Sequence, residues 1–250
     1  MKEFGVGSRR GQSIYLSAGD KTRIRALLTA ANIPLDMDPG AFRVMTRAET
    51  LLSSNNEKQG GRPVKQNRVA LKGLRPEQDL HVLGSPLRLP AGVHLDLDSS
   101  QIRLNGRHDV VIVVENWECF NRPDLCADEL DFPGESPLVV WRGDISVSMR
   151  GLLDWLATHE LPVAAFMDYD PEGLVMANAL PRLSRIIAPP PAVLSRMLAD
   201  KGLSERYAAQ VAGCQATLDA ATHADVRALW AIIRQSGRAL PQEHFLHKVE

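Results

Sequence analysis

Five consecutive β-branched residues, Val110 to Val114, run directly into Glu115. A run of this kind suits a strand buried on both faces and little else. Two more apolar runs follow. Pro137 to Asp144 (PLVVWRGD) ends in Gly143 and Asp144, and Pro162 to Met167 (PVAAFM) ends in Asp168 and Asp170. The segment SMRGLLDWLATHE between these two, and LVMANALPRL after the last, carry the apolar spacing of helices. The order is strand, connection, strand, helix, strand, helix. That order predicts an α/β fold with a mostly parallel sheet flanked by helices, in which every acidic strand end lies on one edge. Glu115, Asp168 and Asp170 are then expected to converge there, although more than fifty residues separate the first from the others.

The acidic turn DYDPEG carries the chemistry. Asp168 and Asp170 are two residues apart, so an extended chain sends both side chains to the same face. Two ionised carboxylates at one point repel, and an oxygen-rich site of this kind suits Mg²⁺ or Mn²⁺ rather than Zn²⁺. Ordinary turn chemistry is the competing explanation, because Asp, Pro and Gly all form turns. The second acidic strand end, Glu115, favours the metal. The candidate catalytic and metal-holding residues are therefore Glu115, Asp168 and Asp170. Glu172, Asp144, Gly143 and Glu243 are auxiliary candidates, with Arg142 and His244 as phosphate contacts.

A Glu after one strand and an Asp-x-Asp after a later one resemble the Toprim domain of topoisomerases, primases and some nucleases. DYDPEGLVMANAL is similar to the A subunit of topoisomerase VI and its meiotic relatives. ENWECF resembles the Glu-Asn-x-x-x-Phe of JetD, the nuclease subunit of the Wadjet anti-plasmid system, and LPQEHF (Leu240 to Phe245) resembles a terminal Gln-Glu element of that group. The resemblance is fullest over Val110 to Ile187. It implies a Mg²⁺-dependent DNA endonuclease that partners an SMC-type ATPase complex in defence and works as a homodimer. Glu115, Asp168 and Asp170 would then hold one or two ions that activate water and neutralise transition-state charge.

The rest of the chain is read around that site. With 250 residues and 44% hydrophobic content, two modest domains are expected. No apolar run reaches the roughly 20 residues that span a bilayer. Three cysteines, Cys119, Cys126 and Cys214, lack paired metal-binding spacing and fit a reducing cytoplasm. Net charge is −1, yet residues 1–75 hold fourteen Lys and Arg against six Asp and Glu. We read residues 1–105 as a basic α+β module that binds DNA, with Arg23, Arg25, Arg62, Lys65 and Arg68 among its contacts, and residues 106–250 as the catalytic domain, the boundary lying near Asn105-Gly106.

Within the first module, Ser17 with Asp20 reads as a helix cap, and Ile24, Leu27, Leu28 and Ala31 as that helix's apolar face, which would suit a winged helix. Short strands are expected at 69–71, 80–83, 94–97 and 101–104. In topoisomerase VI relatives a tyrosine upstream attacks DNA, and Tyr15 lies at a comparable distance from Glu115. SIYLS departs from the expected local pattern. Two other classes therefore stay open: a non-cutting DNA-binding or regulatory subunit with a vestigial site, and a strand-cleaving enzyme that uses Tyr15.

Overall fold

The computed structural model describes residues 5–10, 13–31, 33–35, 38, 40, 41, 45, 47–51, 67–104, 106–143 and 149–246. Asp144, Arg62 and Lys65 lie outside them. The chain divides into two compact units, 1–66 and 67–250. The boundary expected near residue 105 is thus corrected to 66/67, for a reason that lies in the sheet described below.

In the first unit, β1 (Ser8–Arg10) and β2 (Ser13–Tyr15) form an antiparallel hairpin, followed by α1 (Ala18–Ala30) and the short α2 (Arg47–Leu51). The cap is the expected one. Ser17 Oγ accepts from the Asp20 amide at 3.1 Å, and Asp20 Oδ2 accepts from the Ser17 amide at 2.8 Å. Asp20 Oδ1 also takes the Gly7 amide at 3.1 Å, which ties the hairpin to the helix. The Ser17 hydroxyl, donating to Asp20 Oδ2 at 2.7 Å, and then the Gly7 and Ser17 amides hold the Asp20 carboxyl below its ordinary value. No α1 residue is fully buried. The apolar face expected at Ile24, Leu27, Leu28 and Ala31 is only half covered, and Leu27 is exposed.

The second unit contains β3 (Arg68–Gly73), β4 (Asp79–Leu80), β5 (Leu87–Arg88), β6 (Leu95–Asp98), β7 (Val111–Val114), α3 (Trp117–Asn121), α4 (Pro123–Glu129), β8 (Leu138–Trp141), α5 (Met149–Ala157), β9 (Val163–Phe166), α6 (Pro171–Asn178), β10 (Leu183–Ile186), α7 (Pro191–Lys201), α8 (Ser204–Asp219) and α9 (Ala224–Ser236). Six strands form one sheet in the order β10-β9-β7-β8-β3-β6. The first four are parallel; β3 pairs antiparallel with β8, and β6 pairs antiparallel with β3 at the edge. Strands expected to build a separate module therefore extend this sheet. Val69 and Leu71 are almost fully buried in it, and burying each such side chain stabilises the fold by about 1.5–3 kcal/mol, which a detached module of short strands would forgo. Residues 101–104 contribute one bridge, Leu83 to Arg103, rather than a strand.

The three strands recognised by their apolar runs are the core. Every residue of β7 and β9 is buried, as are Leu138 to Val140 of β8. β7 lies between β8 and β9, with Val114 opposite both Trp141 and Phe166. That register brings the next residues, Glu115, Arg142 and Met167, level at the carboxyl edge. No helix among the described residues is long and apolar enough to cross a membrane.

Candidate functional site

Both acidic strand ends pass straight into helix caps. After β7, Asn116 caps α3, its Oδ1 accepting from the amides of Glu118 at 2.7 Å and Cys119 at 3.1 Å. After β9, Asp170 caps α6, its Oδ1 accepting from the Gly173 amide at 2.7 Å, with Pro171 at the first helical position. Pro171 therefore opens a helix; the strand has already ended at Phe166. Gly173 is required by close approach, since a Cβ there would stand 2.3 Å from the Asp168 carbonyl oxygen. The chain stays extended through Tyr169, whose ring is buried and whose hydroxyl donates to Ile187 O at 3.1 Å. Asp168 and Asp170 accordingly leave on the same side.

Each of the three carboxylates is held in the same way. One oxygen takes a backbone amide and the other takes an arginine. Glu115 Oε2 accepts from the Asp168 amide at 3.1 Å and its Oε1 from Arg142 Nη2 at 3.3 Å. Asp168 Oδ1 accepts from the Gln242 amide at 2.9 Å, and its Oδ2 from Arg206 Nη2. Asp170 gives Oδ1 to its cap, while Oδ2 accepts from Arg206 Nε at 2.8 Å and Gln210 Nε2 at 3.1 Å. Arg206 thus spans both aspartates.

Two distant segments complete the edge. Tyr169 and Leu240 exchange backbone hydrogen bonds at 2.9 and 3.1 Å, and Leu203 and Ala239 do so at 2.8 and 3.1 Å. The first pair lays residues 239–245 beside the acidic turn and delivers Gln242 and Glu243. The second fixes the start of α8, so Arg206 and Gln210, four apart and on one helix face, meet the carboxylates. Asn116 Nδ2 donates to Glu243 Oε1 at 2.5 Å, which links the first acidic strand end to the terminal Gln-Glu element.

Electrostatics follow from this crowding. The Glu115 side chain is 11% exposed. Burial first, then the charge of Asp168, pushes its carboxyl up to about 7. Burial likewise raises Glu243, with Asp168 adding to it. For Arg206 burial pulls down, but Asp168, Asp170 and Glu115 together outweigh it and the net shift is upward.

The acceptors gathered at this edge are all oxygens, the donor type a hard divalent cation takes. Besides the carboxylates, three buried oxygens at this edge, Gln210 Oε1, Gln242 Oε1 and Glu243 Oε2, have no hydrogen-bond donor, and such acceptors are costly unless something positive meets them. In the arrangement present, however, no three His, Cys, Asp or Glu side chains among the described residues form a group that could hold a metal ion. Arg206 stands between the two aspartates instead.

The remaining sequence candidates are placed as follows. Glu172 lies in the first turn of α6 and accepts from Gln210 Nε2 at 3.3 Å. Gly143 has φ of 91°, a conformation that favours glycine. Arg68 pairs with Asp96 at 2.9 Å across β3 and β6. Arg23 and Arg25 are exposed on α1, and Tyr15 on β2 is 51% exposed. All three cysteines are buried and free. Sequence reasoning missed Arg206, Gln210, Asn116 and Gln242. Asn116 and Gln242 stood inside quoted motifs, and the four-residue spacing of Arg206 and Gln210 was the only local signal of a shared face.

Residues 68–250 match the model of a family described as a domain of unknown function (DUF7281), and the chain belongs to that family. The match begins at the first strand of the second unit. No curated protein matches the chain.

Proposed function

For a DUF7281 member with this site, we propose metal-dependent hydrolysis of DNA phosphodiester bonds, with Glu115, Asp168 and Asp170 holding Mg²⁺ or Mn²⁺. The observation that carries the reading is the shared design of the three carboxylates, each oriented by a backbone amide through one oxygen and presenting the other at the same sheet edge. Such an ion supplies Lewis-acid activation of water and neutralises charge on the phosphoryl oxygens. The protein's own groups do the positioning. Backbone amides fix the carboxylate angles, and Gln242 and Glu243 close the site from the terminal segment. Arg142 and Arg206 bring positive charge to an edge that must accept a phosphate. A Toprim-type assignment, an SMC-type ATPase partner and a homodimer that cuts both strands belong to the same proposal.

A second reading, a non-cutting DNA-binding subunit, is favoured by the pairing of Asp168 and Asp170 with Arg206. The two readings separate in one experiment. Purified protein is incubated with supercoiled and linear DNA in Mg²⁺, Mn²⁺ or EDTA, beside Asp168→Asn, a Glu115→Ala/Asp168→Ala double variant and Tyr15→Phe. Nicking or linearisation that needs the ion, is lost in both acidic variants and persists in Tyr15→Phe is the expected result. Cleavage that survives Asp168→Asn, or is absent with every ion and DNA form in the presence of an SMC-type complex, would overturn the nuclease reading. Loss in Tyr15→Phe alone would point to strand cleavage by that tyrosine.

A further inference from the structure

The three carboxylates do not use their oxygens alike. The backbone-held atoms, Glu115 Oε2, Asp168 Oδ1 and Asp170 Oδ1, are committed to orientation. The other three are neutralised by guanidinium groups, and a single side chain, Arg206, takes two of them: its Nη2 meets Asp168 Oδ2 and its Nε meets Asp170 Oδ2 at 2.8 Å. These are the oxygens that a cation shared by the two aspartates would use.

Arg206 also differs from its partners in freedom. The Asp170 side chain is 1% exposed and that of Asp168 10%, whereas Arg206 is 35% exposed. It projects from the first turn of α8, so its long side chain can turn toward solvent without moving the backbone that holds the aspartates. Beside it, the Oε1 atoms of Gln210 and Gln242 and Glu243 Oε2 are buried without donors. A guanidinium satisfies the two aspartate oxygens but leaves these three unmet.

We propose that Arg206 is the resident counter-cation of this site: it occupies Asp168 and Asp170 while no divalent ion is bound, and on ion entry releases them and turns to a phosphate oxygen of the substrate. The inference rests on the metal-dependent reading above and adds a role for a residue outside the acidic motifs. It makes two opposite demands on one side chain. As a competitor, Arg206 weakens ion binding; as a phosphate contact, it supports turnover. A merely structural ion pair would make only the first demand: its loss would raise ion affinity, because a positive charge leaves the site, and would leave cleavage at saturating ion unchanged.

The test measures Mn²⁺ binding by electron paramagnetic resonance, separately from DNA cleavage, in wild type, Arg206→Gln and Arg206→Lys. The expected result is Mn²⁺ affinity about tenfold higher in Arg206→Gln, with cleavage at saturating ion reduced about a hundredfold, the scale of losing one transition-state contact. Arg206→Lys should fall between for both. A folded Arg206→Gln whose Mn²⁺ affinity is unchanged or lower overturns the proposal, as does unchanged cleavage. A readout on the wild type guards against a variant that does not fold. In protein carrying ¹⁵N-arginine, with its signal assigned through Arg206→Lys, the Arg206 Nε–H should lose protection from solvent exchange when Mg²⁺ is added; retained protection in the ion-bound protein overturns the proposal. Failure of the underlying reading is distinct: neither wild type nor variant would bind Mn²⁺, and both inferences would fall.

Discussion

Replacing Glu115 by Gln should make the metal-free protein more stable at high pH while removing a proposed metal ligand. Burial and the charge of Asp168 raise the Glu115 carboxyl from 4.5 to about 7 in the folded chain. Between those values the native state binds a proton that the unfolded chain has released, so wild-type stability falls as pH rises through the window. Well above pH 7 the cost of an ionised Glu115 is about 3 kcal/mol, and below 4.5 it vanishes. Gln does not titrate and escapes it. The variant loses one acceptor, because a single amide oxygen cannot serve both the Asp168 amide and Arg142, which subtracts about 1 kcal/mol. The net expectation at pH 8 is a gain of about 2 kcal/mol, or roughly 4–8 °C in Tm for a unit of this size. All four tryptophans, Trp117, Trp141, Trp155 and Trp230, lie in the second unit, so intrinsic fluorescence in urea follows that unit alone. Wild type and Glu115→Gln would be compared in EDTA at pH 4.5, 6 and 8. A stability difference that does not grow with pH, or a variant less stable at pH 8, would refute the assignment of Glu115 as a buried carboxyl strained by its neighbours.

Two further outcomes depend on packing rather than on the proposed chemistry. Gly173→Ala would set a Cβ 2.3 Å from the Asp168 carbonyl oxygen and 3.2 Å from Asp170 Oδ1, so the urea midpoint should show a loss of more than about 3 kcal/mol; a loss below 1 kcal/mol would mean that the acidic turn yields easily. His108 is buried, accepts from the His81 amide through Nε2 at 3.0 Å and meets Ser136 O through Nδ1 at 3.0 Å, which fixes a neutral ring, and burial leads the causes that lower its pKa from 6.5. The folded state then binds fewer protons than the unfolded one, so the stability His108 provides is complete above pH 6.5 and lost as pH falls below it. The stability difference between wild type and His108→Gln should shrink over that range, and a constant difference from pH 8 to 5 would remove His108 as its source.

Fold class was legible because its signal is local. A strand buried on both faces reads as an unbroken apolar run: β7 ends at Val114 as expected and β9 at Phe166, one residue early, while β8 ends at Trp141, short of the expected Gly143 and Asp144. After the triple proline Pro189 to Pro191, apolar spacing predicts helices over Ala192 to Lys201, Ser204 to Leu218 and His223 to Ser236, and α7, α8 and α9 fall within a residue of those bounds. Strand order was not legible, since nothing in β7 states that it lies between β8 and β9. The unit boundary failed for a related reason. β3 and β6 are short and separated by Gly and Pro turns, which reads as a small module, but β3 pairs with the free edge of β8 and β6 with β3, contacts that no local pattern announces.

The acids of the site were legible and their cations were not, and this asymmetry follows from charge in sequence. An acid at the end of an apolar run stands out against its context. An arginine in the first turn of an amphipathic helix reads as a solvated face, so nothing local marks Arg206. Its role depends on Leu203 pairing with Ala239 and on Tyr169 pairing with Leu240, contacts that no window of sequence contains. Charge balance is the one constraint that reaches across that distance. Three carboxylates gathered at a buried edge demand compensation from somewhere, and in this structure it comes from Arg142, from Arg206 and, near pH 7, from a proton on Glu115. On the metal-dependent reading and the Arg206 role proposed above, a divalent ion would displace the proton and one guanidinium together. Ion binding should therefore release protons near neutral pH and weaken as pH falls below 7, even where no DNA is present.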